Sequence, residues 1–221
     1  MTNPILARAL PFGVFVGFIA VDAWLANAAT SLGFDARWLY AVRVAIVAAL
    51  LAWFWRQYVE LRSLKGVRAI DWVLVAVIGS VVFVLWINLD VPILSFGQNG
   101  GFDPRADGQI DWAIALVRLG GAALLVPVME ELFWRSLVMR WIQDAEFLKV
   151  DPRRVALKAL AISSVPFALE HQLWFAGLVA GVAYGWIYVR TGNLWAPVFA
   201  HATTNLLLGV WILYTGAWQF W

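Results

Sequence analysis

The sequence predicts an all-α protein, a polytopic bundle of about seven (seven to eight) membrane-spanning helices. Composition is the first reason: 63% of the 221 residues are hydrophobic and 14% are charged, roughly half the charge share of an average soluble domain. The second is distribution. Apolar runs lie near 9–29, 38–55, 72–89, 112–129, 155–170, 173–189 and 194–214, close to the ~20 residues that cross a hydrocarbon core as a helix. The third is length, since these runs far exceed the ~9–11 residues of a membrane-barrel strand.

Taken in order, the first run follows Arg8 and carries Asp22. Its Ala26-Asn27-Ala28 imitates a signal-peptide cleavage site, but the run is too long and too charged for one and reads as a retained span. The second run holds Arg43, and the third stops just before Asp90. An anionic Gly/Asp stretch at 98–111 reads as a solvated loop. The fourth run holds Arg118 and leads into Glu130, Glu131 and Arg135; the fifth ends at Glu170 and His171; the seventh carries His201 and Asn205. No internal repeat or long linker divides the chain. The expectation is one transmembrane domain, 1–221, with a motif-bearing core at about 112–214.

Short cytoplasmic loops retain Lys and Arg. The second connection carries Arg56, Arg62, Lys65 and Arg68, and the fourth carries Arg140, Lys149, Arg153, Arg154 and Lys158. The sixth is marked by Arg190, whereas the third holds Asp90, Asp103, Asp107 and Asp111 against Arg105. The N-terminus is therefore expected in the cytoplasm, in a protein integral to the plasma (inner) membrane. Many of the 15 tryptophans fall at run ends, where an amphipathic ring suits the membrane interface.

The net charge of +2 is spread among apolar runs, unlike the clustered footprint of a nucleic-acid binder, so nucleic acid is not an expected partner. With no cysteine, thiolate nucleophiles and Cys-ligated metals are excluded. Any chemistry belongs to carboxylates, imidazoles, amides and hydroxyls.

An ionisable group within a span needs a partner or a function. Asp22, Arg43 and Arg118 sit at a common depth from the extracytoplasmic ends of their runs, and an ion-pair cluster is expected of them. The second group is Glu130, Glu131, Arg135, Glu170, His171, His201 and Asn205, which includes both histidines of the chain. On a helix Glu131 and Arg135 are i,i+4 neighbours and form an ion pair, while Glu130 points about 100° away and stays free. His201 and Asn205 share the same spacing and project together, as hydrogen-bond donors for an oxygen bearing developing charge. Pro127, Pro166 and Pro197 precede the clusters; kinks there would open a wet pocket. The expectation is a single pocket, opening toward the cytoplasm.

The order Glu130-Glu131-x-x-x-Arg135, Phe167-x-x-x-His171 and His201-x-x-x-Asn205 resembles the CPBP (Abi) family, the CAAX-protease and bacteriocin-processing intramembrane proteases. Arg190-Thr-Gly-Asn-Leu-Trp-Ala-Pro strengthens the likeness, and Ser136 stands where the family usually has glycine. The resemblance to type II prenyl-protein endopeptidases implies Glu130 as general base and His171 as its partner in activating water. It also implies His201 with Asn205 as oxyanion donors, Glu131 and Arg135 as supporting residues, and no metal cofactor. The implied partners are membrane lipid and a peptide or protein substrate, lipidated or not, cut near the membrane surface. Two alternatives stay open. Glu130, His171 and His201 would give zinc three ligands and an open position, making a metalloprotease. Buried Glu, Arg and His also build ion pathways, as in a non-catalytic transport or immunity protein.

Overall fold

The computed structural model describes residues 3–97 and 101–221. Part of the anionic stretch expected as a solvated loop, residues 98–100, lies outside the described residues. The chain forms helices α1 (Pro4–Ala20), α2 (Asp22–Ser31), α3 (Leu39–Phe54) and α4 (Ala69–Asn88) in its N-terminal half. After a two-residue hairpin, Arg105–Ala106 with Gln109–Ile110, come α5 (Trp112–Gln143), α6 (Leu157–Leu169), α7 (Trp174–Thr191) and α8 (Trp195–Thr215). The helical membrane bundle is as expected.

The number of spans differs. Among the described residues, four helices are long and apolar enough to cross a membrane, or five if α1 and α2 count as one broken span. The first apolar run does not form one straight helix: the chain bends by 63° between α1 and α2. The break falls at Val21, immediately before Asp22, which opens the next helix and bonds Arg43 Nη2 at 3.0 Å. The fifth run yields only the 13 residues of α6. The fourth is longer than its apolar core, because α5 continues through the charged motif to Gln143.

Helix α5 starts at Asp111, whose carboxylate accepts from the Ala113 and Ile114 amides and satisfies two of the donors left open at a helix start. Wider π-helical turns interrupt it at Gly121–Leu125 and Leu132–Met139. Pro127 lacks an amide and its ring crowds the carbonyl four residues earlier; the first π segment accommodates both. Pro166 lies inside α6. Pro197, expected to kink its helix, is in the first turn of α8, where the missing amide costs no intrahelical bond.

Small residues bring the helices together, as is usual where lipid offers no hydrophobic drive to pack. Gly79 on α4 faces the Ala200 carbonyl and Thr203 of α8, and the Thr204 hydroxyl donates to the Gly79 carbonyl at 2.8 Å. Gly177 and Gly181 on α7 lie against Ala168 and Ser164 of α6.

At the Lys/Arg-rich end, buried Glu60 joins Arg8 of α1 and Arg140 of α5, each at 2.7 Å, and accepts from the Ser136 hydroxyl. The side chain that replaces the expected glycine thus ties α5 to this carboxylate. Asp71 binds Arg68 at 2.7 Å and Arg190 at 3.0 Å at the same end.

Candidate active site

Glu130, Glu131 and Arg135 sit on the middle of α5, Glu170 and His171 just past the end of α6, and His201 and Asn205 within α8. Helix periodicity separates the two glutamates. Glu131 turns inward to Arg135, Oε2 to Nε at 3.1 Å, with both side chains buried. Arg135 also donates to the Gly181 carbonyl at 3.3 Å and lies 4.2 Å over the Phe167 ring. The second Glu131 oxygen is 3.0 Å from His201 Nδ1. An ionised carboxylate can only accept, so this nitrogen carries the proton. The Tyr184 ring stacks on the His201 imidazole at 5.0 Å, and its hydroxyl reaches Thr204 at 2.7 Å. His201 is held from two sides.

Glu130 points elsewhere, onto a cavity of about 260 Å³ whose lining includes His171, His201 and Asn205. Its Oε2 is buried without a hydrogen-bond partner among the described residues. A carboxylate so placed is held by the fold at a cost, and its free valence is available to a ligand. Ligand atoms of Glu130, Glu170 and His171 all lie within 4.8 Å of one another, close enough for one water to touch all three. His171 Nδ1 donates to the Phe167 carbonyl at 2.7 Å, which leaves the Nε2 lone pair free as an acceptor. Trp86 packs edge-on against the same ring at 5.3 Å. Asn205 Nδ2 donates to the Ala122 carbonyl, in the first π segment, at 2.8 Å.

The cavity brings Glu130, His171, His201 and Asn205 together from three helices. Glu131 and Arg135 do not line it. Three sequence expectations change. The group with metal-binding geometry among the described residues is Glu130, Glu170 and His171, in place of the alternative set Glu130, His171 and His201. Glu170, bonded by Trp134 Nε1 at 3.0 Å, joins the site though motif spacing did not single it out; its one signal was a charge beside His171 at the end of an apolar helix. The cavity also does not run toward the Lys/Arg-rich end. Its other walls are Phe15, Arg43, Trp86, Arg118, Phe220 and Trp221, at the opposite end. A second cavity, lined by Asp90, Ser95 and Gln172, shares Trp86, Phe220 and Trp221 with it. Short α6 delivers His171 from that end to the depth of Glu130.

The expected three-residue ion cluster is also incomplete. Asp22 pairs with Arg43, whereas Arg118 has no carboxylate partner among the described residues and packs over Tyr40 and Phe102 at 4.8 and 4.4 Å.

Fold and site define a helical membrane protein with a carboxylate–imidazole group buried at the middle of the bundle. Residues 112–207 match the family model described as type II CAAX prenyl endopeptidase Rce1-like. The match spans every residue of the site from Glu130 to Asn205. It supports a CAAX-type intramembrane protease, an integral membrane protein acting on a peptide or protein. No curated protein and no solved structure matches the chain.

Proposed function

We propose that the protein is an intramembrane endopeptidase in which Glu130 and His171 activate a water molecule. The observation that carries this reading is the buried Glu130 carboxylate, whose Oε2 has no partner among the described residues, in a group whose Glu130, Glu170 and His171 ligand atoms lie within 4.8 Å of one another, on a cavity shared with His201 and Asn205. Glu130 takes a proton from water while His171 Nε2 accepts the other hydrogen, and the hydroxide adds to the scissile carbonyl carbon. The oxyanion receives a hydrogen bond from the second Asn205 N–H and one from His201 Nε2, which donates there as the imidazolium, its Nδ1–H held by Glu131. On collapse the C–N bond breaks, and the Glu130 proton passes to the leaving amine, giving a carboxylic acid and an amine. With the Lys/Arg-rich end in the cytoplasm, this site receives substrate from the extracytoplasmic side.

The test compares Glu130→Gln with the unaltered protein on prenylated and unprenylated peptides in liposomes. Losing a general base should lower turnover by about 10²–10⁴-fold; a variant within a few-fold of the parent sinks the proposal. A second reading rests on the same three side chains, which could hold a divalent metal through two carboxylates and an imidazole. Activity lost in chelator and restored by zinc would give Glu130 to the metal.

A further inference from the structure

We propose that Arg118, with Arg43 beside it, forms a subsite for a carboxylate of the bound peptide, remote from the scissile bond in the same cavity. This inference rests on the peptidase reading of that cavity.

Both arginines line the cavity that Glu130 lines. Both guanidinium groups lie over the Tyr40 ring, at 5.6 Å for Arg43 and 4.8 Å for Arg118, so two cations meet at one phenol. The only carboxylate bonded to them among the described residues is Asp22, on Arg43, and its side chain is 52% exposed. Arg118 has no hydrogen bond or ion pair among the described residues, and Nε of each arginine is buried without a partner. Phe102 and Trp221 complete an aromatic surround at 4.4 and 6.0 Å. Ring faces attract a cation but leave its N–H donors unused. A charge inside a membrane bundle calls for a counter-ion. The planar guanidinium fork matches a carboxylate in two parallel hydrogen bonds.

Position selects the peptide as the source. Arg118 and Glu130 are twelve residues apart on α5, or about 18 Å at 1.5 Å per residue. An extended peptide covers that in roughly five residues; the reach of both side chains shortens it to about three to five. A substrate with its scissile carbonyl at Glu130 therefore brings a carboxylate a few residues away to Arg118. That carboxylate is either the free C-terminus or an Asp or Glu side chain.

The experiment measures binding of a fluorescent Ala/Leu peptide to the full chain in nanodiscs, with Glu130→Gln to prevent turnover. Three forms are compared: the C-terminal acid, the C-terminal amide, and the amide with an Asp near its end. A charge-assisted hydrogen bond corresponds to about tenfold or more in affinity, so the acid should bind at least that much more tightly than the neutral amide. The Asp-containing amide distinguishes side chain from C-terminus. Arg118→Gln should abolish the preference, and Arg118→Lys should restore part of it. If Arg118 were only a structural brace, Arg118→Gln would lower the melting temperature and weaken all three peptides alike. Equal binding of the three forms, a preference that survives Arg118→Gln, or displacement by anionic lipid without any acid preference overturns the inference. The two readings fail separately: Glu130-intact protein that cleaves all three peptides equally loses the subsite and keeps the peptidase. Acid-selective binding with no cleavage keeps the subsite and loses the peptidase.

Discussion

Replacing Arg135 with alanine should unfold the site rather than merely silence it. The Arg135 and Glu131 side chains are 3% and 0% exposed, so truncation strands a carboxylate that water cannot reach. At the 3.1 Å separation and an effective dielectric constant near 20, the lost attraction is about 5 kcal/mol. Measured losses on breaking one partner of a buried pair run at about 3–5 kcal/mol. Glu131 also holds His201, so the imidazole loses its orientation at the same time. Arg135→Lys keeps the charge but gives up the bond to the Gly181 carbonyl and the guanidinium contact over the Phe167 ring, a loss of about 1–2 kcal/mol. Glu131→Gln combined with Arg135→Met removes both charges and should regain much of the stability without regaining activity. Thermal unfolding in detergent, beside peptide cleavage, reads both quantities; for a chain of this size 3–5 kcal/mol lowers the midpoint by on the order of 10 °C. An Arg135→Ala protein that melts with the parent yet is inactive would refute the reasoning and make Arg135 a substrate contact.

Burial raises the Glu60 carboxyl, but the hydrogen bond and charge of Arg8 and the bond from Ser136 outweigh it and hold Glu60 below its ordinary range. The stability this contributes is complete above the unfolded value of about 4.3 and fades as pH falls through the lower folded value. Glu60→Gln should therefore melt below the parent at pH 7, with the gap closing in acid; a gap independent of pH refutes the assignment. Trp134→Phe removes the Nε1 donor to Glu170 and should reduce turnover with little change in melting. Unchanged turnover would mean that the placement of Glu170 does not matter to the site. Gly79→Ala places a methyl group against the Ala200 backbone and 2.9 Å from Thr203 Cβ, which should cost about 1–3 kcal/mol by overpacking. An unshifted melting curve would mean that α4 and α8 separate freely.

The helical class and the residues that meet in the cavity were legible because their signals are local: apolar run length, i,i+4 spacing, and the rarity of charge in a span. The Glu131–Arg135 pair is of this kind. What stayed illegible depends on how helices end and tilt. The charge of Asp22 in the run 9–29 does not by itself announce a 63° bend at Val21, and although the run 155–170 does end with its helix at Leu169, its sequence does not show at what depth in the bundle that stop falls. That stop decides which end of the bundle the cavity faces and brings Glu170 to Glu130. The orphaned Arg118 was hidden for a similar reason, since equal depth along separate helices does not make side chains face one another.

The 13-residue length of α6 also has a consequence for the surrounding lipid. At 1.5 Å per residue it is about 20 Å long, against roughly 30 Å of hydrocarbon. A bilayer meets so short an apolar element by thinning around it. Such thinning would draw headgroups and water down toward the turn at His171, so the annular lipid would help to hydrate the proposed hydrolysis. Turnover in short-chain lipid should then exceed that in long-chain lipid, making membrane thickness a variable of the chemistry.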